Sequence, residues 1–303
     1  MNSEITERLK AIVGDGAVVA DEPMSRHTTF KTGGPASLFI RPKTKEQLLS
    51  AATALRDSRT EHFFLGNGSN ILVSDRGYQG VAVSTEGLSD LFVVNETGIR
   101  AGAGVLNSQV ANLATRSALT GFEFAAGIPG TVGGAMIMNA GAYGGEMKMI
   151  TESVEALTPG GEVITLSCDE CSFRYRTSAL KENGYLVLSA LFRLEKGESE
   201  EITARIKELS EKRREKQPLD YPSAGSTFKR PEGYFAGKLI EEAGLKGFSI
   251  GGAAVSEKHC GFVINKGSAT SAEIYGLIQT VREKVYSSRG VELEPEVIMI
   301  GEF

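Results

Sequence analysis

Three short segments combine reactive side chains with glycine or proline. Residues 173–178, FRYRTS, set Arg174 and Arg176 around Tyr175; in a strand the two arginines face the same side. The arginine fork suits a carboxylate or a phosphate. Residues 223–231, SAGSTFKRP, place Ser226 and Thr227 after a glycine, with Lys229 three residues beyond Ser226. Residues 292–297, ELEPEV, space Glu292, Glu294 and Glu296 at period two on one strand, and Pro295 puts that strand at an edge or an end. Structural readings compete with each: surface ion pairs for the arginines, a helix N-cap for Ser226, a solvated strand face for the glutamates. No histidine lies near Ser226 and GxSxG is absent, which disfavours Ser-His-Asp hydrolysis. A serine acting as proton donor near an arginine and a carboxylate stays open.

Such groups need a scaffold and something to act with, and two glycine-rich stretches point to the latter. The first is Leu65, Gly66, Asn67, Gly68, Ser69, Asn70; the second runs Gly127, Ile128, Pro129, Gly130, Thr131, Val132, Gly133, Gly134, Ala135. Neither carries the Lys-Ser/Thr of a P-loop, and neither is a GxGxxG opening a helix after the first strand. Glycine admits φ > 0 and close approach of a ligand to the backbone, and successive N–H groups in such turns form an anion-binding concavity. Tight turns in a β-rich domain would look similar. Two stretches in one chain, followed by MNAGAYGGE at 138–146, favour a large phosphorylated ligand held mainly by backbone.

Composition bounds the rest. The 303 residues suffice for two or three domains, with ordinary hydrophobic (41%) and charged (23%) fractions. A net charge of −5 implies no global attraction to nucleic acid or anionic membrane, so phosphate recognition must be local. The run Lys212-Arg213-Arg214-Glu215-Lys216 reads as a solvated helix face. The first residues, Met1-Asn2-Ser3-Glu4, lack a leader pattern and no stretch is long enough to span a membrane, so a cytoplasmic location is expected. Cys168, Cys171 and Cys260 read as free thiols: the Cys168/Cys171 pair sits in a turn, far in sequence from His27, His62 and His259, and no metal site is expected.

Periodicity predicts helices over 4–13, 45–56, 107–118, 200–216 and 271–288, and a further helix in FAGKLIEEAGLKG. Short strands are expected over 37–42, in FFLG, NILV, GVAVS, DLFVV and GIRAGAG, in a hairpin around Pro159-Gly160-Gly161, over 184–194, in GAAVS and GFVINKG, and in a final strand VELEPEVIMI. The pattern is that of mixed sheets and not of repeated βαβ units, and the polar break at 195–198 marks a domain boundary near residue 196.

Read together, HTTFKTGGPA (27–36), LGNGSNILVSD (65–75), EFAAGIPGTVGGAMIMNAGAYGGE (123–146), FRYRTS, AGSTFKRP, LKGFSIGGAAVS (245–256), GFVINKG and LEPEV resemble, in order, the UDP-N-acetylenolpyruvoylglucosamine reductase family. The resemblance runs from about residue 20 to the C-terminus, and it is to the shorter, type II branch, which lacks a tyrosine-bearing insertion. It implies an α+β fold with an FAD-binding domain of the vanillyl-alcohol-oxidase (PCMH) type over 1–196, in two subdomains of about 1–83 and 84–196. A smaller α+β substrate-binding domain would span 197–303, its final strand returning toward the FAD site. The two glycine stretches would cradle non-covalent FAD. The implied reaction takes hydride from NADPH to flavin N5 and on to the vinyl carbon of UDP-N-acetylglucosamine enolpyruvate, in peptidoglycan precursor synthesis.

Carried over by position, the resemblance makes Arg176 the group that stabilises the developing enolate, Ser226 the proton donor, aided by Lys229, and Glu296 the catalytic glutamate. Tyr143, Tyr175, Lys229, Lys246 and His259 would face the UDP-sugar. Partners would be small molecules, the UDP-sugar and NADPH, and the protein a monomer. A flavin-dependent oxidase or dehydrogenase of a small alcohol on the same fold is the rival, with His27 as the candidate for a covalent flavin bond. A non-catalytic UDP-sugar binding module is opposed by the Arg176, Ser226 and Glu296 set.

Overall fold

In the computed structural model, which describes residues 3–303, the chain divides into two compact units. Met1 and Asn2, the start of the segment read above as lacking a leader, lie outside the described residues. One unit comprises the chain up to Val19, Leu38–Asn67 and Gly80–Arg213; the other comprises Ala20–Ser37, Gly68–Gln79 and Arg214–Phe303.

The first unit is built on a five-stranded antiparallel sheet, in the order Val163–Ser167, Thr151–Leu157, Leu186–Arg193, Gly98–Gly102, Leu91–Val93. The 186–193 run is buried at nearly every position, as a central strand requires. A second pairing in this unit sets His62–Leu65 parallel to Val81–Ser84. The helix Lys45–Asp57 begins at Thr44, whose hydroxyl accepts from the Gln47 N–H, and it buries Leu48, Ala51, Ala52, Ala54 and Leu55. Ser3–Val13 contributes Ile5, Leu9 and Val13 from its apolar stripe.

The second unit holds a three-stranded antiparallel sheet of Ser249–Ile250, Ala253–Val255 and Val263–Asn265, against which the helix Ser271–Arg289 packs. Ile274, Leu277, Ile278, Val281 and Val285 of that helix are fully buried, at the spacing its sequence shows. Its first turn is doubly capped. Thr270 and Glu273 form a capping box, while the Asp75 carboxylate accepts from the N–H groups of Ser271 and Ala272, each at 2.8 Å. Gly290, at φ 67°, ends the helix in the left-handed conformation.

Three sequence expectations change. Residues 173–178 form a tight turn and no strand, with Arg176 at φ 56°. The final strand is confined to Ile298–Ile300, which runs parallel to Ile71–Val73; Pro295, without an N–H, leaves only an isolated bridge with Phe228 upstream. Within the second glycine stretch a helix, Val132–Ile137, appears that the sequence pattern did not announce.

Candidate active site

The second glycine stretch is fixed by its neighbours. The Val132 and Gly133 N–H groups donate to the carbonyls of Val105 (2.8 Å) and Ala103 (2.9 Å). A Cβ on Gly133 would come within 2.9 Å of the Ala103 Cβ, so this glycine lets the helix lie directly on the chain beneath it. The Gly130 carbonyl accepts from the Asn107 N–H, and the Arg213 guanidinium is bonded to the Gly127 carbonyl. A Cβ on Gly66, in the first stretch, would collide with Thr131 Oγ1, so the two stretches touch at this point. The first stretch continues at Gly68, φ 60°, whose missing side chain leaves room for the His27 carbonyl.

Arg176 sits at the end of a turn closed by paired backbone bonds between Arg174 and Thr177 (3.0 and 3.2 Å). The turn is tied down from two sides. Ser178 Oγ donates to the Ile137 carbonyl, and the buried Asn139 amide donates to both Glu146 and the Arg174 carbonyl while accepting from the Lys148 N–H. The two arginines therefore part company. Arg174 pairs with Glu182, whereas Arg176 Nη2 donates to the Gly141 carbonyl at 3.3 Å and its guanidinium carbon lies 5.1 Å from the Tyr175 ring centre. Tyr143 and Tyr175 are both exposed, at 39% and 51%.

In the second unit, Ser226 follows Gly225, at φ 74°, and is exposed, and it caps no helix because the next one begins only at Ala236. Its neighbour Thr227 is fully buried and held by three bonds. The Thr227 N–H donates to the Gly261 carbonyl (2.8 Å), Oγ1 accepts from the Val263 N–H (2.9 Å), and the carbonyl accepts from the Glu296 N–H (2.8 Å). The Lys229 N–H donates to the Glu294 carbonyl, and the Lys229 ammonium pairs with the Glu294 carboxylate. Asn70, the last residue of the first glycine stretch, donates to the Glu296 carbonyl at 3.1 Å and accepts from the Ile298 N–H. Ser226, Lys229, Glu294 and Glu296 are thus brought together by backbone pairing.

His259 lies beside the same turn, its Nδ1 accepting from the Gly261 N–H at 3.1 Å, with the Phe262 ring edge-on. Burial pushes its pKa below the usual histidine value. Lys246 is farther along, half-exposed and paired with Glu241 at 3.0 Å. Cys168, Cys171 and Cys260 are free thiols, and burial pushes Cys171 up to about 12.

Comparison with known proteins decides between the readings of this arrangement. Residues 217–300 match the UDP-N-acetylenolpyruvoylglucosamine reductase, C-terminal domain family, and residues 36–167 match an FAD binding domain family. Proteins named UDP-N-acetylenolpyruvoylglucosamine reductase are 51% identical over 298 residues in Caldanaerobacter subterraneus subsp. tengcongensis (98% of both chains), and 49% identical over 306 residues in Lachnoclostridium phytofermentans (100% of this chain, 99% of the relative). The chain belongs to the UDP-N-acetylenolpyruvoylglucosamine reductase family. The crystal structure of that reductase from Thermus caldophilus superposes with a TM-score of 0.79 at 34% identity, over 94% of this chain and 98% of the other. An alkyldihydroxyacetonephosphate synthase shares the fold at 14% identity, with a TM-score of 0.50 over 65% of this chain. The α+β fold with a PCMH-type FAD-binding domain is that of the family.

A reductase of this family needs FAD, and the glycine stretches fit it. Gly134 is exposed, and a Cβ there would meet nothing closer than Thr131 Oγ1 at 3.9 Å, so main chain is open to a ligand. Asn107 Oδ1 is buried beside Gly130 and makes no hydrogen bond, a polar atom available to a water or a cofactor group. Sequence reasoning missed Asn107, Asn139 and Arg213. Asn107 and Asn139 look like ordinary loop and helix-start residues in sequence. In the charge run 212–216, Lys212, Arg214, Glu215 and Lys216 are exposed as a solvated face requires, whereas the Arg213 guanidinium is turned onto Gly127 and its burial lowers its pKa. The one available sequence signal was its position a dozen residues before Ser226, on the last turn of the helix.

Proposed function

We propose that the chain reduces the enolpyruvyl double bond of UDP-N-acetylglucosamine enolpyruvate with NADPH, giving UDP-N-acetylmuramate for peptidoglycan synthesis. FAD, when bound, supplies the two-electron chemistry, taking hydride from NADPH and giving it to the substrate. Residues 1–196 are assigned to FAD binding and 197–303 to the nucleotide sugar. Gly66 to Asn70, with Leu65, and Gly127 to Thr131, with Gly133 and Gly134, hold the cofactor. The protein acts as a cytoplasmic monomer on small molecules; among the described residues no helix is long and apolar enough to cross a membrane.

Delivery of hydride to the terminal vinyl carbon leaves negative charge on the carbon bearing the carboxylate. Arg176, pinned at positive φ with its Nη2 on Gly141, offers a pre-oriented cation to that charge, and a donor that needs no reorganisation stabilises a transition state most. Ser226 gives its hydroxyl proton to the same carbon. A serine is a weak acid, so position must compensate, and Thr227, fixed by three hydrogen bonds, supplies it. The Lys229–Glu294 ion pair orients charge beside Ser226, and Glu296 lies across the same backbone bridge to govern the proton's path. Tyr143, Tyr175, Lys229, Lys246 and His259 bind the UDP-sugar.

The observation that supports this reading is the pairing of 227–229 with 294–296, which runs the backbone next to Ser226 alongside that of Glu296 in a chain of the reductase family. The rival oxidase is not favoured. Its candidate attachment point, His27, has Nε2 bonded to the buried Glu22 carboxylate at 2.8 Å, and the family is that of the reductase. The test is stopped-flow mixing of NADPH-reduced holoenzyme with UDP-N-acetylglucosamine enolpyruvate. Rapid flavin reoxidation is expected; reoxidation only at the rate seen with oxygen would overturn the reading.

A further inference from the structure

The turn that carries Arg176 lies against a hairpin of closely set shape. Ala142 pairs with Gly145 and Gly141 with Glu146, which leaves Tyr143 (φ 54°) and Gly144 (φ 87°) as a two-residue tip. Positive φ at both central residues is what a type I′ turn requires. Gly145 lies against the Phe124 ring, where a Cβ would come within 2.5 Å of Phe124 Cγ. At the foot of this hairpin the Gly141 carbonyl accepts from Arg176 Nη2. The aim of Arg176 therefore depends on how two separate loops are held together.

One buried side chain joins them. Asn139, 1% exposed, donates from Nδ2 to Glu146 Oε2 on the hairpin at 3.0 Å and to the Arg174 carbonyl on the arginine turn at 3.3 Å. Its Oδ1 accepts from the Lys148 N–H at 2.9 Å. Because the Lys148 N–H can only donate, the amide oxygen must face it, and both amide hydrogens are left for the hairpin and the turn. An aspartate of the same shape has no hydrogen for either. Asn139 also stands at φ 40°, and with Tyr143 and Arg176 it makes three of the eight non-glycine residues at positive φ among the described residues. Strained backbone of this kind persists only where its surroundings hold it, and it gathers at functional sites.

We propose that Asn139 is the positioning residue for Arg176, locking the arginine turn to the 141–146 hairpin so that the guanidinium keeps its place at the Gly141 carbonyl. The proposal rests on the role given to Arg176 above. Asn139 acts through these two bonds and not on the substrate. Loss of the bridge lets the guanidinium shift, and a displacement of about 1 Å at a reacting group costs about 10²-fold in rate.

Two variants test it. Asn139→Gly removes the bridge and keeps a residue at ease with positive φ, while Asn139→Asp keeps the shape and sets a carboxylate against Glu146. In FAD-loaded protein, anaerobic stopped-flow mixing should show reoxidation by UDP-N-acetylglucosamine enolpyruvate slowed about 10²-fold in both, with flavin reduction by NADPH unchanged. On an Arg176→Ala background, itself slowed, Asn139→Gly should slow reoxidation no further, which a general loosening of the fold would not give. Four results would overturn the proposal and leave the substrate reading standing: unmodified reoxidation in both Asn139 variants, equal slowing of both half-reactions, the full further loss on Arg176→Ala, or failure of both variants to hold FAD. Reoxidation of Arg176→Ala at the unmodified rate would overturn the role of Arg176 and the proposal with it.

Discussion

Thr131 Oγ1 fills the place where a side chain on Gly66 would begin, so the two glycine stretches meet at one atom. Neither stretch can be altered there alone. Gly66→Ala must displace the Thr131 hydroxyl from a buried position, at a cost of about 1–3 kcal/mol in urea unfolding, and should weaken FAD retention. Adding Thr131→Ala removes the colliding atom, so the double variant should be less destabilised than the two single changes summed. Strict additivity would show that the contact does not matter.

Arg213 is the counterpart of Gly127. Its guanidinium holds the carbonyl that opens the second stretch, and it lies so close that a Cβ on Gly127 would come within 2.9 Å of Arg213 Nη1. Arg213→Ala should raise the apparent Kd for FAD by about 10-fold, a loss of roughly 1.4 kcal/mol, measured by fluorescence of released flavin. Lys212→Ala, which removes only an exposed pair with Glu208, should leave FAD affinity unchanged.

The lowered pKa of His259 gives stability a pH dependence of definite sign. Desolvation in the folded protein disfavours the charged imidazole, whose Nδ1 accepts from the Gly261 N–H, while the unfolded chain takes up a proton near 6.5. The unfolded state therefore binds more protons just below pH 6.5. This contribution to stability is complete above that value and is lost as pH falls below it. Urea midpoints should fall from pH 7.5 to about pH 5.5, and His259→Gln, which keeps an acceptor, should flatten that slope.

Cysteine reactivity separates two thiols that the sequence places three residues apart. Cys171 is fully buried with its pKa pushed up to about 12, whereas Cys168 is half-buried and shifted less far. Iodoacetamide at pH 8 should alkylate Cys168 in the native protein well before Cys171, and the two should react alike in urea.

Helices and apolar strands were legible because their signals are periodic. The stripe Ile274, Leu277, Ile278, Val281 and Val285 is both a pattern in the sequence and the buried face of a helix. Arg176, Ser226 and Glu296 are proposed through family likeness, since their types and spacing alone fit surface roles equally well. What could not be read was geometry set by distant partners. Arg174 and Arg176 diverge because Glu182 claims one and Gly141 the other, and the glutamate run is no continuous strand because its pairing stops at Pro295. Arg213 differs from its charged neighbours only through contact with a residue 86 positions away.

The central claim is that Ser226 gives the proton to the substrate and has no part in loading the flavin. Stopped-flow measurement of both half-reactions in Ser226→Ala tests it directly. Flavin reduction by NADPH should proceed as in the unmodified enzyme, while reoxidation by UDP-N-acetylglucosamine enolpyruvate slows by about 10³-fold. Equal slowing of both halves, or reoxidation at the unmodified rate, would contradict the account.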